Sequence, residues 1–229
     1  MNIFLAIIFL SSGLLNNGHK TKSNFELILT SDKSVYQEGE NIYLNITIKN
    51  NGSSVSINNP FESIRNNMII ENEYGLHPQL VNKLFTDSKI SFSSGETKSE
   101  EVDLLYNYGY KLNNKSTSQY FMYFPSGKYI IKCKIDIGDN DIVESNEINV
   151  TVVPPNESEI SAFFEMKYID SFYINVNKLE KRVMTKEENE SAIDRMIIFL
   201  GKYPKSIYTN RILIQSNIVR FKRCITQSN

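Results

Sequence analysis

The stretch "NIYLNITIK", residues 41–49, sets Ile42, Leu44, Ile46 and Ile48 in alternation with Tyr43, Asn45, Thr47 and Lys49. A period of two sends the two sets to opposite faces of an extended chain, a pattern that a helix does not reproduce. The predicted element is a strand with one buried face. The pattern recurs along the chain. "FELILTS" alternates Phe25, Leu27 and Leu29, and "SGKYIIKCKIDI" opposes Tyr129, Ile131, Cys133, Ile135 and Ile137 to Lys132, Lys134 and Asp136. "ESNEINVTVV" repeats it with Ile148, Val150 and Val152. "SVSIN", stopped by Pro60, and "NMIIENEYG" read as further short strands, and "EEVDLLY" points Val102, Leu104 and Tyr106 one way. Turn residues lie between them: the Gly of "YQEGEN", and "NNG" at 50–52, whose residues tolerate positive φ. Short strands with one apolar face predict two antiparallel sheets over one core, a β-sandwich.

"VVPPNESE" ends this regime. Pro154 and Pro155 cannot continue a ladder. Beyond them the spacing turns helical. Asn156 and Glu159 have N-cap spacing, and Ile160, Phe163, Phe164, Lys167 and Tyr168 follow at helical intervals. Thr185 and Glu188 form a capping-box pattern ahead of a stripe of Ala192, Ile193, Met196, Ile197, Phe199 and Leu200, with Gly201 and Pro204 as stops. "SIYTNRILIQSNIVRFKRC" suits one more amphipathic helix. The expected chain is mainly β with an α appendage: strands over 24–153, then about three helices over 154–229.

At the N-terminus, the apolar run Ile3–Leu10 precedes Ser11, Ser12 and Gly13. An apolar core followed by small residues is the form of a secretory signal peptide, here over residues 1–20. It is short of the roughly 20 residues a membrane helix needs, and no Lys or Arg precedes it. The expected location is therefore exported: periplasmic, cell-envelope or secreted, with no membrane span once the signal is removed. Export permits a disulfide, but Cys133 and Cys224 fall in different regions, and Cys133 reads as a small buried hydrophobe.

The segment "SDKSVYQEGENIYLNITIKNNG" resembles the first two strands of immunoglobulin-like modules in exported bacterial proteins and in macroglobulin-type domains. "FPSGKYIIKCKID" with "ESNEINVTVV" resembles the closing strand pair of such modules. The resemblance spans about 130 residues and implies an antiparallel immunoglobulin-like β-sandwich. Small proteinase inhibitors that present an inter-strand loop share that sandwich; here the loop would be 75–100 or 107–120. In the tail, "MIIFLGKYPKSIYTNRILI" resembles the junction between helices of tetratricopeptide-like repeats, with Thr209 where Ala is usual. Only about one and a half units fit, and a stable array needs roughly three, so the resemblance implies a packed helical appendage.

Chemistry-bearing residues are sparse. The two histidines, His19 and His77, fall near the leader's end and in a loop. No nucleophile elbow, phosphate-binding loop, zinc spacing or other cofactor motif is present. A formal net charge of −1 argues against a general nucleic-acid binder, although residues from Asn156 onward carry +3 and those before them −4. Asp136, Asp139, Asp141 and Glu144 crowd one loop. Oxygen ligands so placed suit Ca²⁺, but without the glycine of an EF-hand the expected structure is a solvated hairpin turn. The segment 104–124 is rich in aromatics: Tyr106, Tyr108, Tyr110, Tyr120 and Tyr123 either grip a partner or fill the core. Beyond Asp194 run Arg195, Lys202, Lys205, Arg211, Arg220, Lys222 and Arg223 without an acid, which reads as the solvated face of a packed helix rather than a membrane-surface one. The function expected is a non-enzymatic binding or structural module meeting a protein partner. A proteinase inhibitor is the alternative, and an enzyme with a site between sandwich and helices the third.

Overall fold

The computed structural model describes residues 23–73, 79–80, 88–113, 118–121, 123–137, 141–174 and 185–216. For 63, 65, 66, 79, 80, 106–113, 118–121 and 171–174 the description extends to the backbone only. Residues 1–20, expected to be a signal peptide, and His77, Asp139 and Cys224 lie outside the described residues.

One sheet is built from β1 (Phe25–Ser31), β3 (Tyr43–Asn50) and β8 (Thr97–Asp103), with β3 central and both pairings antiparallel. The alternation read from the sequence holds: Phe25, Leu27 and Leu29 on β1 and Leu44, Ile46 and Ile48 on β3 are buried, as is Ile42 just before β3. The second sheet centres on β11 (Gly127–Asp136). It pairs with β5 (Met68–Asn72) on one side and with β13 (Ile148–Val153) and β12 (Ile142–Glu144) on the other. The apolar sides of the two sheets meet in one cluster, in which Leu44, Ile46, Ile48, Tyr129, Ile131, Cys133 and Val150 are buried. A smaller ribbon joins β4 (Val55–Asn58) to β7 (Lys89–Phe92), and β9 (Tyr108–Asn113) lies between β10 (Ser118–Phe121) and β6 (Gln79–Leu80).

Several local expectations are corrected. One pairing is parallel: β2 (Val35–Gln37), which overlaps the start of "YQEGEN" read as a turn, runs alongside β13. Pro60 does stop β4, and it also opens α1 (Pro60–Asn66), where a missing N–H costs nothing and Asn59 caps the first turn. The strand read through "EEVDLLY" ends at Asp103, and a helical turn, α2 (Leu104–Asn107), follows. Gly52 has no positive φ; its place depends on close approach, since a Cβ there would meet Asn24 Cβ at 2.9 Å. Buried Asn50 organises that corner, its side-chain amide donating to the carbonyls of Ser53 (2.8 Å) and Ser93 (3.0 Å).

After β13 the chain turns through Asn156, whose Oδ1 accepts from the Glu159 N–H at 3.1 Å, and enters α3 (Ile160–Ile174). The α4 helix (Lys186–Lys202) opens with the expected capping box: Glu188 N–H donates to Thr185 Oγ1 at 3.2 Å, and Thr185 N–H donates to the Glu188 carboxylate at 2.8 Å. Gly201 lies inside α4 rather than beyond it, and the cap is Tyr203. Helical backbone resumes over 209–216. These helices share a second core of Ala162, Phe163, Met166, Ile169, Ile193, Met196, Phe199, Tyr208 and Ile212. The fold is thus mainly β with a helical C-terminal region.

Candidate functional site

Two features stand apart from ordinary core packing. The first is the joint between the β region and the helices. The turn after β2 needs a positive φ at Gly39 (79°), and glycine meets that at no steric cost. A Cβ there would also collide with Met166 and come within 3.3 Å of the Phe163 and Tyr208 rings. Both carbonyls of the turn are held from the helical side: Tyr208 Oη donates to Glu38 O at 2.9 Å, and Arg211 Nη1 to Gly39 O at 3.1 Å. The Glu38 carboxylate accepts from Ser126 N–H and Oγ, each at 2.7 Å.

Behind the turn, Arg211 pairs with Asp170, both side chains 6% exposed, and Gln215 Nε2 donates to the other Asp170 oxygen at 2.7 Å. Burial pushes the Asp170 pKa upward, against the pull of the Arg211 charge and the Gln215 amide. Burial likewise pushes the Tyr208 hydroxyl up. A buried ion pair held on both members, Arg211 by the Gly39 carbonyl and Asp170 by the Gln215 amide, acts as a positional lock rather than a reactive centre. Arg211 therefore does not belong to a solvated basic face. A signal for this existed in the sequence: Asp170 follows Phe163 by seven residues and Met166 by four, a lone acid on an apolar face that requires a partner.

The second feature is the outer side of α3 and α4. Ile160, Phe164 and Tyr168, read as apolar residues at helical intervals, are exposed; among the described side chains of α3 the buried ones are Ala162, Phe163, Met166, Ile169 and Asp170. On α4, Ala192, Ile193, Met196 and Phe199 are buried, while Ile197 joins Ile198 outside. Phe164 is 62% and Ile198 61% exposed. Of the twelve large hydrophobics exposed among the described residues, seven lie between Ile160 and Ile214. An open cleft of about 560 Å³ runs here, lined by Glu165, Glu187, Glu190, Ser191, Asp194, Arg195 and Ile198. The Arg195 guanidinium lies 4.6 Å from the centre of the Tyr168 ring.

The residues singled out from sequence are dispersed. Among the five tyrosines, Tyr123 has a described side chain. It is half-buried in the joint, edge-on to Phe163 at 5.9 Å, with Lys167 Nζ 5.2 Å from its ring centre. Position 106 belongs to α2, so it does not continue the face of positions 108 and 110 on β9. The register sets Tyr110 opposite Phe121 and Tyr120 opposite Lys111, so positions 110 and 120 belong to opposite faces of the ribbon. The stretch proposed as an inhibitor loop, 107–120, holds this hairpin, whose strand β10 lies against α3.

In the acidic loop, Asp136 and Glu144 fall on adjoining strands and Glu144 pairs with Lys134 at 2.5 Å. Ile137 N–H donates to the Asp141 carbonyl at 3.1 Å, closing a hairpin. Among the described residues no group of three His, Cys, Asp or Glu is placed to hold a metal ion. Cys133 is fully buried with its thiol pushed up to about 11 by burial, so it is no nucleophile at neutral pH.

No protein-family model and no curated protein matches the sequence. Among solved structures, a β-glucosidase from Erythrobacter marinus is similar at 12% identity and TM-score 0.35, over 56% of this chain and 15% of its own. A β-glucosidase from Listeria innocua in complex with isofagomine is similar at 17% identity and TM-score 0.32, over 56% and 16%. The sporulation control protein Spo0M from Bacillus subtilis is similar at 9% identity and TM-score 0.33, over 63% and 56%. The chain spans less than two thirds of each of these structures, and a likeness at that level carries no argument about fold or activity.

Proposed function

We propose that this protein is an exported, non-enzymatic binding module of the cell envelope or secreted fraction, working through protein–protein contacts made by its helical region. The observation that carries this reading is the concentration of exposed apolar side chains on α3, α4 and 209–216, outside a helical core that is already filled. Exposed large hydrophobics gathered on neighbouring helices are the kind of surface that interaction sites use. The joint supports it: Tyr208 and Arg211 fix the helices to the β region, so the outer face is presented on a rigid seat.

Within this reading, residues 24–153 form an immunoglobulin-like sandwich. Its support is the pair of sheets around β3 and β11 sharing one core. The helices form a tetratricopeptide-like appendage, supported by the capped α4 and the turn through Tyr203 and Pro204 into 209–216. Export rests on the leader-like residues 1–20; no helix among the described residues is long and apolar enough to cross a membrane.

The test is retention from an envelope extract by the immobilised full chain. The reading expects a defined protein held in stoichiometric amount. It falls if nothing is held, or if the chain instead inhibits a proteinase through the β region with its helical face altered.

A further inference from the structure

We propose that the groove between α3 and α4 receives a cationic amphipathic helix from a partner protein; this rests on the protein-contact reading above and names the chemistry of the partner. Shape comes first. The inner sides of α3 and α4 are consumed by the core of Phe163, Met166, Ile169, Ile193, Met196 and Phe199. On the outer side Phe164 and Tyr168 stand one turn apart on α3, Tyr168 meeting the cleft through the Arg195 guanidinium, and Ile198 of α4 lines the cleft itself. Exposed apolar side chains flanking a groove between two packed helices make a seat that a third helix can fill with its own apolar stripe. Being open, and rich in separated carboxylates, the cleft suits a side-on segment better than an enclosed small molecule.

Charge selects the occupant. The cleft lining carries Glu165, Glu187, Glu190 and Asp194 against the single guanidinium of Arg195, which already lies on the Tyr168 ring. At the cleft these carboxylates disfavour an anionic membrane surface, although residues from Asn156 onward carry +3 overall. A second copy seated by two-fold symmetry would set the same carboxylates against one another. A helix with Leu- or Ile-type residues on one face and Lys or Arg on its flanks satisfies both the exposed apolar side chains and the carboxylates. Its encounter is steered by charge and weakened by salt.

The experiment is fluorescence anisotropy on the full chain with two labelled probes of equal length, a Leu/Lys amphipathic helix and a Leu/Glu one. The Leu/Lys probe binds and the Leu/Glu probe does not. Phe164→Ser with Ile198→Ser abolishes binding. Glu165→Gln with Asp194→Gln weakens it about tenfold, equivalent to roughly 1.4 kcal/mol, and flattens its salt dependence. A control pair on the β region, Ile28→Ser with Ile130→Ser, leaves it unchanged. All six positions are at the surface or the cleft rim, and equal thermal midpoints confirm that each variant is folded. The proposal is overturned if both probes bind alike, if the groove variants bind like the parent, or if sedimentation shows a dimer that the groove variants dissolve. Should the envelope partner be retained equally by parent and groove variants, the protein-contact reading stands and the groove assignment falls. Should no partner be retained, that reading falls on its own.

Discussion

The β region and the helical region solve the problem of apolar surface differently. On β3 each apolar side chain goes inward, and Thr47 and Ser99 meet in a hydrogen bond of 2.8 Å on the outside. A strand has two faces, and here each has a settled role. A helix has more directions than one core can cover. The α3 helix spends Phe163 and Met166 on its core and leaves Phe164 and Tyr168 in solvent. Apolar residues beyond what the core needs mark where stability has stopped being the reason for them. The two regions also differ in polarity at depth. Among the described residues the β core buries asparagines such as Asn50 but no charged side chain, whereas the helices meet the β region through Arg211, paired with Asp170, groups that must be held in one geometry or not buried at all.

That difference can be broken at the joint. Arg211→Met strips the partner from a buried carboxylate and is expected to cost about 3–5 kcal/mol. Urea unfolding then separates into two transitions, the helical region leaving first. Adding Asp170→Leu restores most of the loss, because no charge remains buried without its partner. A single transition of unchanged midpoint in Arg211→Met would show that the pair does not hold the regions together.

In the β core the lever is pH. The folded Cys133 thiol keeps its proton up to about 11, whereas an unfolded thiol gives it up nearer 9. Between those values the unfolded state binds fewer protons, so stability falls as pH rises, by about 2 kcal/mol across the window. Cys133→Ala starts lower, from the lost packing, but lacks this component of the slope. Parallel pH profiles for the two proteins would contradict the assignment. The helical region should answer to a local change instead: Thr185→Ala removes the capping box and is expected to cost about 1 kcal/mol, read from the denaturation midpoint.

How much of this was legible in the sequence follows the same division. The strand faces were, because alternation at Ile42–Ile48 and Tyr129–Ile135 leaves one consistent assignment. The capping box was, because Thr185 and Glu188 act over three residues. The parallel strand β2 was not: Val35–Gln37 is three residues long and is fixed by β13, over a hundred positions later. Nor was the joint, since Arg211 reads as one of several cations until the fold sets it beside Gly39 and Asp170. The apolar intervals of α3 named a helix correctly but not its buried side, because Phe163 and Phe164 are adjacent and only packing chooses between them. The aromatic segment drew attention by composition, yet Tyr123 proves to be part of the joint.

The central claim is that the outer face of α3 and α4 is working surface and not core. Its most direct measurement sets Phe164→Asp with Ile198→Asp beside Ile28→Asp with Ile130→Asp, each in the full chain, and reads unfolding free energy and partner retention together. The account predicts that the helical pair stays within about 0.5 kcal/mol of the parent, as surface positions do, and loses the partner, while the β-region pair keeps it. Loss of several kcal/mol in the helical pair, or loss of the partner in the β-region pair alone, would contradict it.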